Sequence, residues 1–271
     1  MIAPSTGLSD QALAEIADLE RRVVAADGGR LKLEWGTLRA RHEDAVNDVL
    51  VHEDGRLVGF AGVYRHGGDP EITGMVDPAH RRRGLGRETL AAVLGLVHEP
   101  TALLVVPRSS AGGRALARAR GATFDHAEHA MVQRTAVAVP PADVVVRPAV
   151  DADRVAVDEL LRAGFGDVGG TGDRLDRTTI AERDGRVVAS LVVERDAARA
   201  GVYGFVVTPE LRGRGIGRAV LGEVCRELRT DGVDEVRLEV EVRNERALGL
   251  YTSLGFEPVI TEDYYRVRVA G

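Results

Sequence analysis

From residue 144 onward the chain switches between two hydrophobic patterns. The runs VVVRP, DRTTIAER, GRVVASLVVER, AGVYGFVV and DEVRLEVEV are rich in β-branched residues and suit strands. Between them, DADRVAVDELLRAGF, IGRAVLGEVCRELRTDG and NERALGLYTSLG place apolar residues three and four apart, the spacing of amphipathic helices. The first helix opens on an aspartate, which predicts an Asp cap. The RDGR turn carries the Asp-Gly hairpin signal and joins the runs into a three-strand meander. With terminal strands added, the predicted order is β-α-β-β-β-α-β-α-β, a mixed α/β fold with helices on the faces of its sheet.

The same order occurs twice. Pro78, Arg81, Gly84 and Gly86 recur as Pro209, Arg212, Gly215 and Gly217, all at a shift of 131 residues. Upstream, DGRLV at 54–58 returns as DGRVV at 184–188, a shift of 130, and Gly121 corresponds to Gly255 at 134. Shared order with small drifts is the mark of a duplicated domain. The paired prolines of AVAVPPADVVVRP stiffen a short link, so the halves are read as 1–139 and 140–271, with the seam at Pro140.

Composition narrows the picture. The 271 residues are 44% hydrophobic and 29% charged, the balance of a globular protein with room for two cores. No apolar run is long enough for a membrane span. The N-terminus lacks a secretory signal pattern and Cys225 is the only cysteine, which points to a reducing cytoplasm. A formal net charge of −6 argues against bulk nucleic-acid or anionic-membrane binding, and the halves carry about −1 and −5. Lys32 is the sole lysine, so arginine abundance reads as codon bias rather than as a binding signal.

LRGRGIG at 211–217 and HRRRGLG at 80–86 each stand between a strand and a helix. A helix start exposes unpaired N–H groups and the positive end of its dipole, and glycines let an anion approach the backbone closely. The loop is not a Walker motif, since no Gly-Lys-Ser/Thr follows. Arg218 and Val220 also break the dinucleotide fingerprint. The one G-x-G-x-x-G, Gly164, Gly166 and Gly169, follows a helix and is read as coincidence.

FVVTPELRGRGIG followed by LEVEVRNERALGLYTSLGF closely resembles the GCN5-related N-acetyltransferase (GNAT) superfamily. The matches are its strand-four motif, its R/Q-x-x-G-x-G/A pyrophosphate loop and its N-x-x-A-x-x-L-Y-x-x-x-G-F helix. The resemblance implies two tandem acyl-CoA N-acyltransferase domains, each a mixed, mostly antiparallel sheet flanked by helices. Mycothiol synthase has such a tandem arrangement, with no specific match to this chain outside the shared motifs.

The resemblance also implies roles. Arg212, Gly213, Arg214, Gly215 and Gly217 would cradle the pyrophosphate of acetyl-CoA, with Val206 and Val207 pairing their backbone with the pantetheine arm. Asn244 would hydrogen-bond that arm, or serve only as an N-cap. Tyr251 would protonate the departing thiolate; otherwise it is a core tyrosine. Glu239 and Glu241 share one face of the RLEVEVR run. Glu239 stands twelve residues before Tyr251, as does the base of similar ribosomal-protein N-alpha-acetyltransferases. Glu239, Glu241 and ordered water remain open as the base.

In the first half Val76, Arg81, Gly84 and Gly86 are retained, so coenzyme A could dock there through backbone atoms. The counterparts of Asn244 and Tyr251 are Ser110 and Ala117, which implies a half that has lost catalysis. No metal is expected: Glu34, Trp35, His42 and His52 lack metal-ligand spacing.

The leading expectation is an acetyl-CoA-dependent N-acetyltransferase, active in the second half, acting on a small-molecule or peptide amine. The alternatives are a non-catalytic acyl-CoA sensor and, third, an arginine-rich nucleic-acid binder, which the net charge disfavours. The loop AGFGDVGGTGD with Tyr264 and Tyr265 is expected to wall the acceptor site. The expected assembly is a monomer with an internal pseudo-dimer, or a homodimer.

Overall fold

The computed structural model describes residues 1–41, 45–65, 68–139, 143–166, 172 and 174–269. In the first half, β1 (Ile2–Thr6) leads into α1 (Asp10–Asp27) and the short α2 (Trp35–Arg39). The strands β2 (Val46–Glu53), β3 (Arg56–Tyr64) and β4 (Glu71–Val76) form a meander, followed by α3 (Leu85–Leu94), β5 (Thr101–Pro107), α4 (Ala111–Ala119) and β6 (Thr123–Gln133). The second half repeats the order without a counterpart of α2: β7 (Val145–Pro148), α5 (Arg154–Phe165), β8 (Thr178–Arg183), β9 (Arg186–Asp196), β10 (Arg199–Val207), α6 (Ile216–Thr230), β11 (Glu235–Glu241), α7 (Glu245–Ser253) and β12 (Phe256–Arg268). The predicted mixed sheet and helix order are present, except that β12 is one long strand rather than several.

Packing counts the chain differently from its repeat. One compact unit comprises Met1–Glu128 with Ile260–Gly271, and the other comprises His129–Val259. The Pro140 seam lies outside the described residues. The β5 strand is completed by the end of the chain, pairing antiparallel with β12 from Thr101–Arg268 to Pro107–Glu262. β11 takes β6 as its neighbour in the sheet order. The last strand of each half has therefore been exchanged. Tyr264 and Tyr265 consequently belong to the first unit, where they pair with Val105 and Leu104; the loop expected to share the acceptor wall with them lies largely outside the described residues.

Within each unit the strands are covered on both faces. In the first unit, Ile16, Leu19 and Val23 of α1 pack on Leu50, Phe60 and Met75, while Leu90, Val93 and Leu94 of α3 pack on Val49, Ala61 and Ile72 across the sheet. In the second unit, Val220, Leu221 and Val224 of α6 join Val202, Val236, Leu238 and Tyr251 in one core. Val157, Leu160 and Leu161 of α5 pack on Ile180 and Val206 on the other face. The predicted Asp cap of α5 takes another form. A short 3-10 turn at Asp151–Asp153 precedes the helix, and the Asp153 carboxylate pairs with Arg147 and accepts from the Val150 N–H instead.

The two meanders differ at one point. In the first unit β3 and β4 pair without interruption from Gly59–Val76 to Tyr64–Glu71. In the second, Tyr203 faces Val192 but Val206 faces Ser190, so Gly204 and Phe205 together stand opposite Leu191. This is a β-bulge, with Gly204 at φ +56°. The repeat shift is 130 before it and 131 after it, so the bulge supplies the extra residue. It also reverses the alternation of faces. Ala200 and Val202 point into the α6 core ahead of the bulge, whereas Phe205 and Val207 do so after it.

Candidate functional site in the second unit

Two parallel strands part at the centre of the second unit. β10 and β11 pair from Arg199–Glu235 to Val202–Leu238, and the pairing ends there although β10 continues to Val207 and β11 to Glu241. Thr208 donates its N–H to the Val188 carbonyl, at 2.9 Å, which places this backbone group in the β9 ladder. Backbone groups alternate between the two edges of a strand, so Val206 also turns its N–H toward β9, while Val207 turns its N–H and carbonyl into the gap. Of the two valines expected to meet pantetheine, Val207 faces the gap, and the Val206 side chain packs under α5.

The pyrophosphate-type loop follows directly. Gly213 and Gly215 take φ +80° and +81°, left-handed values that glycine adopts without a Cβ penalty. Gly215 is the N-cap of α6 with no side-chain cap, and a Cβ there would meet nothing within 4 Å. The first N–H groups of the helix therefore have no capping side chain, the arrangement an anion can use. Gly217 has a packing role: a Cβ there would touch Leu250 and Val207 at 3.4 Å, so its absence lets α6 approach β10.

Arg212 is exposed, and its Nε donates to the Val207 carbonyl at 2.8 Å. It clips the loop to the strand end, and Arg81 makes the same bond to Val76 at 3.1 Å in the first unit. Arg214 is exposed on the loop. The sequence reading missed Arg246, whose Nη2 lies 3.5 Å from where a Cβ at Gly213 would sit. It adds a cation beside the loop from the first turn of α7.

Asn244 is the N-cap of α7, its Oδ1 accepting the Ala247 N–H at 3.1 Å. That commits the oxygen and leaves the amide NH₂ to donate. Tyr251 is 8% exposed in the α6 core, and its ring tilts against Phe256 at 6.1 Å. Burial pushes its phenol up to about 12, so the hydroxyl stays protonated throughout the neutral range.

Glu239 is half-buried and Glu241 exposed, while Val236, Leu238 and Val240 are buried. The expected alternation therefore holds, and both glutamates lie on the face opposite Tyr251. Glu239 is the first residue beyond the last β10–β11 pair. It stands at the apex of the fork, where the gap connects the two faces. Tyr203, one residue beyond Val202, shares that face beside it. Gly164 brings α5 against β10, since a Cβ there would stand 2.6 Å from Val206 Cγ2. Gly169, the last glycine of that apparent fingerprint, lies outside the described residues, as does His42.

The first unit repeats the frame and changes its fittings. β4 and β5 pair only at Glu71–Leu103 and Ile72–Leu104 before parting. Its loop follows the same path, with Gly84 at φ +92° and Arg82 at φ +65° where the second loop has Gly213. Holding arginine there costs about 1 kcal/mol. Gly86 sits between Leu116 and Val76, each 3.8 Å from a Cβ added there. Glu88 Oε1 lies 3.5 Å from where a Cβ at Gly84 would sit, and its counterpart Ala219 carries no charge. Ser110 caps α4 through the Gly113 N–H, and Ala117 is buried without a hydroxyl to offer. Arg246 is replaced by Gly112. Among the described residues no cluster of His, Cys, Asp and Glu could hold a metal ion.

The sequence profile of the Acetyltransferase (GNAT) family matches residues 11–122 and 154–256. The chain belongs to that family. This acetyltransferase is 32% identical to a mycothiol acetyltransferase of Clavibacter michiganensis subsp. michiganensis, over 93% of this chain and 90% of that one. Its fold is shared with a GCN5-related N-acetyltransferase from Sphaerobacter thermophilus, at TM-score 0.78 and 21% identity, covering 100% of this chain and 96% of that one. It is shared too with a tandem GNAT protein from the clavulanic acid biosynthesis pathway, at TM-score 0.72 and 22% identity, covering 100% and 99%. No described helix of the acetyltransferase is long and apolar enough to cross a membrane.

Proposed function

We propose that the protein is an acetyl-CoA-dependent N-acetyltransferase whose second unit performs the transfer. The observation that carries this reading is the fork between β10 and β11. It combines an uncapped helix N-terminus, a bulged strand edge and a buried phenol in one unit. Acetyl-CoA is a substrate that brings an activated thioester. The loop Arg212–Gly217 receives its pyrophosphate at the start of α6, with Arg214 and Arg246 adding positive charge. The gap-facing backbone of Val207 and the NH₂ of Asn244 hold the pantetheine arm.

The reaction forms a C–N bond and breaks the C–S bond. An amine lone pair attacks the thioester carbonyl, and the gap-facing N–H of Val207 stabilises the oxygen as it gains charge. Glu239 takes the proton that the amine must lose, directly or through water. Tyr251 donates its proton to the departing sulfur. A phenol near 12 is a weak acid, and its contribution is a hydrogen bond to a thiolate forming in a poorly solvated place.

The first unit serves as a degenerate copy. It keeps the fork and the loop, with Val76, Arg81, Gly84 and Gly86, and so can still hold coenzyme A. It lacks the phenol, the bulge and the second cation. The acceptor is a small-molecule or peptide amine. The relatives' name makes acetyl transfer in the mycothiol series the first acceptor class to assay.

Calorimetric titration with acetyl-CoA, followed by a transfer assay on an amine panel, tests the proposal. One or two sites with acetylated product are expected, and zero sites would reject it. Binding without transfer to any amine would instead support the sensor reading.

A further inference from the structure

The sole lysine of the chain is buried in the first unit. Lys32 is 9% exposed and follows Gly28 and Gly29 at the end of α1, both with positive φ. Its flanking residues Leu31 and Leu33 pack into the α1 core, and Lys32 turns toward the sheet. Its Nζ donates to the Tyr264 hydroxyl at 2.5 Å and lies 3.3 Å from Glu71 Oε2 and 3.7 Å from Glu128 Oε2. Tyr264 is 0% exposed, donates its hydroxyl to Glu128 at 2.6 Å, and stacks on His126 at 4.1 Å. Two carboxylates and a phenol oxygen are groups that recognise a primary ammonium ion.

The internal repeat shows what this place corresponds to. Ile72 pairs with Leu104 at the stem of the first fork, as Val202 pairs with Leu238 in the second. Val105 therefore occupies the position of Glu239. Tyr264 pairs with Val105 across β5 and β12 and packs against it and Leu103, on the face away from α3. The ammonium cluster thus lies over the spot where the second unit places its candidate base.

We propose that the first unit retains an acceptor-type seat for a primary alkylammonium ion, and that Lys32 fills it as a built-in surrogate amine. Calling the seat acceptor-type rests on the N-acetyltransferase reading; the affinity for alkylammonium does not. With the seat taken, exogenous amines cannot enter this unit, whatever its loop binds. The ligand class is set by the cluster: one positive charge with N–H donors, on an unbranched alkyl stem of about four carbons.

Lys32→Ala removes the surrogate and leaves its partners in place. The variant should melt roughly 10 °C below the parent. About 50 mM butylammonium should recover at least half of that loss, with butanol and tetramethylammonium recovering none. The parent protein should not respond. Equal effects of butanol and butylammonium, or none from either, overturn the proposal.

A second measurement uses the intact chain and needs no variant. Acetic anhydride should modify the exposed amine of Met1 at least 100-fold faster than Lys32, read by peptide mass spectrometry. Equal rates overturn the burial on which the seat depends. Amine rescue in a protein that acetylates nothing would keep the seat and reject the enzymatic reading. Acetyl transfer by the parent without rescue of the variant would do the reverse.

Discussion

Arg212 donates its Nε–H to the carbonyl of Val207 at 2.8 Å, tying the glycine loop before α6 to the strand edge that faces the fork. The arginine is thus a fastener first and a charge second. Arg212→Ala is expected to weaken coenzyme A binding roughly 10-fold, about the worth of one well-placed hydrogen bond. Lysine lacks the branching guanidinium geometry, so Arg212→Lys should recover less than half of the loss. Calorimetric Kd values for the variants check this. Full recovery by lysine would show that charge alone matters.

Tyr251→Phe removes one oxygen from a side chain already packed in the core. Transfer should fall roughly 100-fold while coenzyme A affinity and melting temperature stay near the parent values. The pH profile gives a second check. An acid acts while protonated, and burial places this phenol near 12; its basic limb therefore lies above pH 10. Any loss of kcat between pH 8 and 10 must come from another group. A limb in that range that vanishes in Tyr251→Phe would contradict the assignment.

Deleting Gly204 should convert β10 into a regular strand like β4, restoring a shift of 130 throughout the meander. The pairs Val206–Ser190 and Val207–Ala189 would stay, while the strand would lose the bend and added twist of the bulge beside the fork. The expected result is a folded protein, by circular dichroism, that binds coenzyme A and has lost at least 100-fold in transfer. Retained transfer would remove the bulge from the mechanism.

Two helical glycines give opposite expectations. A Cβ at Gly249 would meet nothing within 4 Å, so Gly249→Ala should gain up to about 1 kcal/mol of helix propensity. A Cβ at Gly164 would stand 2.6 Å from Val206 Cγ2, so Gly164→Ala should lose about 1–2 kcal/mol to overpacking despite the same gain. Denaturant unfolding of the two variants measures both signs.

Much of this arrangement was legible in the residues, because each signal was local. Asp184 and Gly185 announce their hairpin, Gly213 and Gly215 their positive φ, and Asn244 its cap. The drift from 130 to 131 was visible too, but not its cause. Gly204 and Phe205 fit a strand whether or not they bulge, and only the partner's register shows it. The place of Tyr264 was not legible, since alternation says which face a residue takes and not which strand lies beside it. Arg246 was missed because an exposed arginine in an arginine-rich chain carries no local signal.

The exchange of β6 and β12 also sets a timetable. Residues 1–128 of the first unit leave the ribosome before the second unit, yet the strand that pairs with β5 is made after it. At ~5–20 residues per second, that strand follows the rest of its unit by on the order of ten seconds. During that interval β5 presents an unpaired edge, and Lys32 waits for Tyr264. The amino-terminal half of this protein can finish folding only after the carboxyl-terminal half has been synthesised.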